Sequence, residues 1–142
     1  MTENREHRAL YDDFLLGLWH ADPAGRRRLA EEIIAPDFVI TRGAGDGETR
    51  GPAAILELIE QSHTLFDDVG VGIDVGPIAD GDHVAARWTF RGTYRGGMPN
   101  VPAEPGTRVE FHGIDIIRIV DGKVAQYWVS SDVDHLMSQL GG

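Results

Sequence analysis

The chain has 142 residues, a length that suits one domain, residues 1–142, and its 42% apolar content is ordinary for a folded protein. It carries 23 acidic against 13 basic side chains, a formal charge of −10, with no basic stripe, which argues against nucleic acid as a partner. With no cysteine, disulfides, thiolate metal sites and a cysteine nucleophile are excluded.

The N-terminal stretch MTENREHRALYDD lacks the apolar core of a signal peptide, and no run approaches a membrane span, so a cytoplasmic location is expected. Helical spacing starts early. Leu10, Phe14 and Leu18, with Tyr11, Leu15 and Trp19 beside them, form a stripe from about Arg5 to His20. Asp22-Pro23 reads as the N-cap and first turn of a second helix carrying Leu29, Ile33 and Ile34, ended by Pro36. Its Arg26-Arg27-Arg28 run, followed by Glu31 and Glu32, is expected on a solvated face. A short strand, Phe38 to Thr41, leads into a glycine-rich loop, Gly43 to Gly47. Gly51-Pro52 then opens a third helix with Ile55, Leu58 and Ile59 inward.

From Val69 onward the period becomes that of strands. Val69, Val71, Ile73 and Val75 alternate with Gly70, Gly72, Asp74 and Gly76. Asp80-Gly81-Asp82 makes a turn, and His83 to Tyr94 is the next strand. A long loop rich in glycine and proline, Arg95 to Gly106, precedes a hairpin of Val109 to Val120 and Lys123 to Val129 around Asp121-Gly122. After Asp132 a final helix carries Leu136, Met137 and Leu140. Helices followed by a meander of long strands predict an α+β fold: a curved antiparallel sheet with three N-terminal helices on one face, enclosing a pocket.

In the first hairpin strand, Val109, Phe111, Gly113, Asp115, Ile117 and Ile119 share one face, while Glu110, His112, Ile114 and Ile116 share the other. Asp115 is the one carboxylate in an apolar set. A two-residue turn would pair it with Trp128 and bring Gln126 to its face. A three-residue turn, Val120-Asp121-Gly122, would pair it with Tyr127 and set Ala125 and Val129 beside it. The second keeps the apolar residues together and is preferred; a one-residue slip exchanges the faces.

A carboxylate poorly solvated among Phe111, Ile117 and Val129 has a raised pKa and can exchange protons near neutral pH. The bland alternative is an ion pair with Arg87 or Arg118. Tyr127 could donate a hydrogen bond to a developing enolate. His112, two residues after Glu110, offers an acid/base pair on the opposite face, with Gln126 across from it. Tyr11, Trp19, Trp88 and Phe90 could bound an aromatic ligand, or simply be core. The six histidines show no HxH or HExxH spacing, and no GxGxxG after a strand, GxxxxGK[ST] or GxSxG occurs.

From Arg87 the chain resembles the SnoaL-like polyketide cyclases of the nuclear-transport-factor-2-like (NTF2-like) superfamily. The matching pieces are Arg87-Trp88, Gly92-Thr93, Pro105-Gly106, Phe111, Gly113-Ile114, Arg118, Asp121-Gly122-Lys123, Trp128, Asp132 and Gln139-Leu140-Gly141. Ala35-Pro36-Asp37-Phe38 fits the same pattern further upstream. The resemblance implies an NTF2-like cone that closes a ring of a polycyclic aromatic polyketide ester by intramolecular aldol chemistry, with an acid/base side chain and no cofactor. Taken with the reading of the residues themselves, the expected catalytic residues are Asp115 as acid/base, with Tyr127 or His112 assisting. Tyr11, Trp19, Arg87, Trp88, Phe111, Gln126 and Trp128 are the expected substrate contacts, and a homo-oligomer through the outer sheet face is expected. Two departures stand out: the family often has His at the positions of Asp115 and Tyr94, and an acidic residue at Gln126. Relatives in anthracycline pathways are associated with hydroxylation, so a hydroxylase is the alternative activity, and a non-catalytic binding module the third.

Overall fold

The computed structural model describes residues 2–42 and 48–141; the glycine-rich loop Gly43 to Gly47 lies outside them. Helix α1 (Thr2–Asp12), a π-helical segment (Asp13–Gly17) and α2 (Leu18–His20) follow one another without a break. Tyr11, Phe14, Leu15 and Leu18 bury one stripe of this rod. Asp22 caps α3 (Pro23–Ile33), its carboxylate accepting from the Gly25 amide at 2.6 Å. Strands β1 (Ile34–Arg42) and β2 (Glu48–Arg50) precede α4 (Pro52–Leu65). The remaining elements are β3 (Phe66–Asp80), β4 (His83–Tyr94), β5 (Arg108–Val120), β6 (Lys123–Ser131) and α5 (Val133–Gln139).

The fold is α+β and NTF2-like: a curved, unclosed six-stranded sheet in the order β2-β1-β6-β5-β4-β3, with helices packed on one face. One expectation needs correcting. The sheet is mixed, because β1 runs parallel to β6. Pro36 does not end a helix but sits within β1, in the irregular stretch between the pairs Ile34↔Val124 and Val39↔Gln126, where a residue without an N–H costs no ladder bond.

A second correction concerns Arg26, expected on a solvated face. It is 3% exposed; its Nε donates to the Leu18 carbonyl and its guanidinium Nη2 to the Ala21 carbonyl, both at 2.8 Å. The arginine thus satisfies carbonyls that the end of α2 leaves without intrahelical partners. Arg27 and Arg28 are exposed as expected.

The hairpin register matches neither expectation. Asp121 and Gly122, at φ 52° and 77°, form a two-residue turn that pairs Val120 with Lys123. The ladder then shifts by one residue between Arg118 and Ile119, leaving Ala125 as a bulge. Beyond it Arg118 faces Gln126, Ile117 faces Tyr127 and Asp115 faces Val129. The turn is the one of the two-residue expectation, but the bulge restores the faces of the three-residue one. Asp115, Tyr127 and Val129 therefore share the helix-covered face, with Asp115 opposite Val129 rather than Tyr127.

Candidate active site

Asp115 stands at the centre of β5, on the strand face that also buries Val109, Ile117 and Ile119, and it is 0% exposed. Three elements bring donors to it. The Tyr11 hydroxyl from α1 donates to Oδ2 at 2.8 Å. The Trp88 indole Nε1–H from β4 and the Tyr127 hydroxyl from β6 donate to Oδ1 at 2.8 and 3.1 Å. Burial pushes the Asp115 carboxyl up to about 6, against the pull of these three hydrogen bonds, which favour the ionised form. Burial and the adjacent carboxylate push both phenols well above the ordinary tyrosine range. Among the described residues no cation pairs with Asp115. Arg87 pairs instead with Asp74 at 2.9 Å, and Arg118 donates to Gln126 at 2.6 Å, both on the far side of the sheet.

In front of this carboxylate lies an apolar cavity of about 230 Å³. Leu15 and Trp19 wall it from the first helical rod, Leu58 and Leu65 from α4, and Val133 and Leu136 from α5. Phe66, Val71, Trp88, Phe90, Phe111 and Val129 supply the sheet side, and Met98 reaches in from the long loop. The rings interlock: Trp88 meets Phe111 edge-on at 5.7 Å, and Phe90 lies 5.0 Å from Phe111 and meets Trp19 edge-on at 5.8 Å. Polar groups are few: Arg42, Ser62, Ser131 and Tyr127. Trp88 and Tyr127 both line the cavity and hold Asp115, so the carboxylate sits directly behind the wall that a ligand would touch.

The structure divides the residues singled out from the sequence into two groups. Trp19, Trp88, Phe111 and Tyr127 line the cavity, with Asp115 and Tyr11 behind them. Arg87, His112, Gln126 and Trp128 point to the opposite sheet face, where they cannot meet the same ligand; strand alternation forbids it. His112 belongs to a separate cluster there. Thr89 donates its one hydroxyl proton to Asp74 at 2.6 Å, so at 2.8 Å it accepts from His112 Nδ1. The bond from the Thr89 hydroxyl depresses the Asp74 carboxyl, helped by Arg87 and His112. Arg42, Ser62, Met98 and Ser131 went unnoticed in the sequence. Arg42 was findable, since it follows Phe38 and Ile40 at strand spacing. Among the described residues, no cluster of three or more His, Asp and Glu is placed to hold a metal ion.

A model of the SnoaL-like polyketide cyclase family matches residues 7–140, and the chain belongs to that family. Among solved structures, it is 28% identical to TsrD from Streptomyces laurentii, with a TM-score of 0.77 over 96% of each chain. AclR from Streptomyces galilaeus, described as a candidate hydroxylase, is 28% identical at a TM-score of 0.79 over 97% of this chain and 82% of that one. IdmH from Streptomyces antibioticus, described as a candidate polyketide cyclase, is 29% identical at 0.74 over 92% of this chain and 98% of that one. No curated protein matches the chain. No helix among the described residues is long and apolar enough to cross a membrane.

Proposed function

We propose that this protein catalyses cofactor-free, acid/base cyclisation of a polycyclic aromatic polyketide by intramolecular aldol addition. One observation carries the reading: a carboxylate with no counter-ion among the described residues, with its pKa raised to about 6, behind a wall of aromatic residues. The rings of the substrate lie among Trp19, Phe90 and Phe111. Tyr127 links the cavity to Asp115. A C–H proton next to a substrate carbonyl passes to the Tyr127 oxygen as the phenol proton passes to Asp115. The enolate carbon then attacks a second carbonyl of the same molecule, and the new alkoxide takes the proton back along the same path. One C–C bond forms, and the mass is unchanged. Apolar walls exclude water, so holding the two carbonyls in place supplies much of the rate. A cavity of about 230 Å³ is below the usual range for ligand sites, so the reacting rings enter and the rest of the molecule occupies the mouth.

Hydroxylation is the second reading, favoured by the likeness to AclR. The same proton transfer would then give a carbanion that adds dioxygen as a hydroperoxide, which an external two-electron reductant such as reduced flavin cleaves to the alcohol and water. The test is mass spectrometry after incubation with an enolisable tricyclic polyketide, as the ester and as the free acid, with and without oxygen and reduced flavin. An isomer formed anaerobically supports cyclisation. A product heavier by one oxygen supports hydroxylation and rejects cyclisation, and no product supports a binding role and rejects both.

A homo-oligomer formed through the outer sheet face belongs to the same proposal. Ile114 and Ile116, 54% and 40% exposed, flank Trp128 there in a shallow apolar groove. Sedimentation of wild type against Ile116→Glu tests it; a wild-type monomer rejects it.

A further inference from the structure

We infer that Arg42 is the anion-binding residue of this cavity, and that the natural substrate carries a free carboxylate on its ring system. The inference rests on the cavity being the substrate site, but not on which reaction occurs there.

Arg42 is the last residue of β1, and it follows Phe38 and Ile40 on the helix-covered face. In the ladder it stands beside Val129 of β6, and Val129 stands beside Asp115 of β5. The three residues form one row across the inner face. Two strand spacings separate the backbones of Arg42 and Asp115, roughly 10 Å. A fused ring system can bridge such a gap, with its acid at one end and its reacting carbon at the other.

Arg42 is the one charged side chain in the cavity lining among the described residues. Among the described residues its side chain has no ion-pair or hydrogen-bond partner. The two arginines of β4 behave differently, Arg87 pairing with Asp74 and Arg91 with Glu110, and Arg95 just beyond the strand pairs with Asp67. In a chain of net charge −10, an arginine beside an apolar cavity with no acidic partner among the described residues is an opening for an anion. Its exposure at the mouth keeps the guanidinium hydrated while the cavity is empty. A planar guanidinium accepts a carboxylate through two parallel N–H···O bonds, a geometry that a neutral ester cannot reproduce with the same strength. The field of Arg42 also reaches Tyr127, where it opposes the rise in the phenol pKa, consistent with both side chains facing the same cavity.

The test uses anthracene-2-carboxylate and its methyl ester as probes, titrated by fluorescence against wild type, Arg42→Gln and Arg42→Lys. Thermal melts of both variants confirm folding, which an exposed position should leave intact. The expected result is that wild type binds the carboxylate at least about tenfold more tightly than the ester. Arg42→Gln should remove that preference while leaving ester affinity unchanged, Arg42→Lys should retain part of it, and added salt should weaken the carboxylate alone. An unchanged carboxylate-to-ester ratio in Arg42→Gln overturns the role of Arg42 but leaves the cavity reading standing. If neither probe binds wild type, the cavity reading falls, and this inference with it.

Discussion

The indole of Trp88 lies flat against Gly113, its cross-strand partner on β5, so closely that a β-carbon at position 113 would overlap the six-membered ring. The glycine is what lets the indole Nε1–H come down onto Asp115, two residues further along the same strand. Gly113→Ala should therefore displace Trp88, cost about 1–3 kcal/mol of stability, and change the near-ultraviolet circular dichroism of the tryptophans. Wild-type stability and an unaltered spectrum would show that the contact is looser than described.

Asp115→Asn has a predicted signature in stability as well as in rate. The folded carboxyl titrates at about 6, against an ordinary value of 3.8. The folded state therefore holds this proton more tightly than the unfolded chain does. Its favourable contribution is complete below about pH 3.8, is lost as the pH rises to about 6, and stays lost above that. The difference between the ends of this window is about 3 kcal/mol. Asn keeps an acceptor for Trp88 and Tyr127 and cannot ionise, so the variant should melt no lower than wild type at pH 8 and show a flatter stability profile between pH 4 and 6. Turnover should fall by about 10²-fold or more. Retained turnover would remove Asp115 from the mechanism.

Tyr127→Phe removes a hydrogen bond that lowers the Asp115 pKa, so the carboxyl should titrate above 6 in the variant. If ionised Asp115 is the base, log kcat rises with pH up to that value and then levels off. The rising limb should move to higher pH in Tyr127→Phe, with a lower plateau because the proton path is cut. An unshifted limb at an unchanged plateau would mean that Tyr127 is only a packing residue.

His112→Ala should leave turnover within about an order of magnitude, a far smaller loss than Asp115→Asn causes. The imidazole contacts Thr89 and Asp74 on the opposite sheet face, with β5 between it and the cavity. Steady-state rates of the two variants on one substrate decide the matter, and the reverse ranking would place the chemistry on the outer face.

Arg26→Met should destabilise the fold by about 2 kcal/mol or more, because it strips charge-assisted donors from the Leu18 and Ala21 carbonyls. Urea unfolding measures this directly. A loss below about 0.5 kcal/mol would mean that water replaces the guanidinium at the end of α2.

Several of these features were legible in the amino-acid order. Alternation along Val109 to Ile119 isolated Asp115 as the single carboxylate on a buried face, and Asp22-Pro23 and Gly51-Pro52 marked their helix starts. The bulge at Ala125 was not legible, because a residue inserted in one strand has no local signature and depends on what the partner strand must bury. The parallel contact of β1 with β6 joins segments more than eighty residues apart, and nothing near Phe38 announces it. Burial of Arg26 likewise depends on where α2 ends, whereas a run of three arginines reads as solvated on composition alone.

The π-helical segment has a consequence for how such a site can change over generations. Tyr11 lies before it and Trp19 after it, so one helical rod serves both the carboxylate and the cavity wall. An α-helix turns by about 100° per residue. Losing one residue between Asp13 and Gly17 would rotate the two ends against each other by about that angle, carrying Tyr11 away from Asp115 while Trp19 kept its place. Small insertions and deletions here, more than substitutions, are thus a route by which the same cone could exchange one proton-handling arrangement for another without rebuilding its walls.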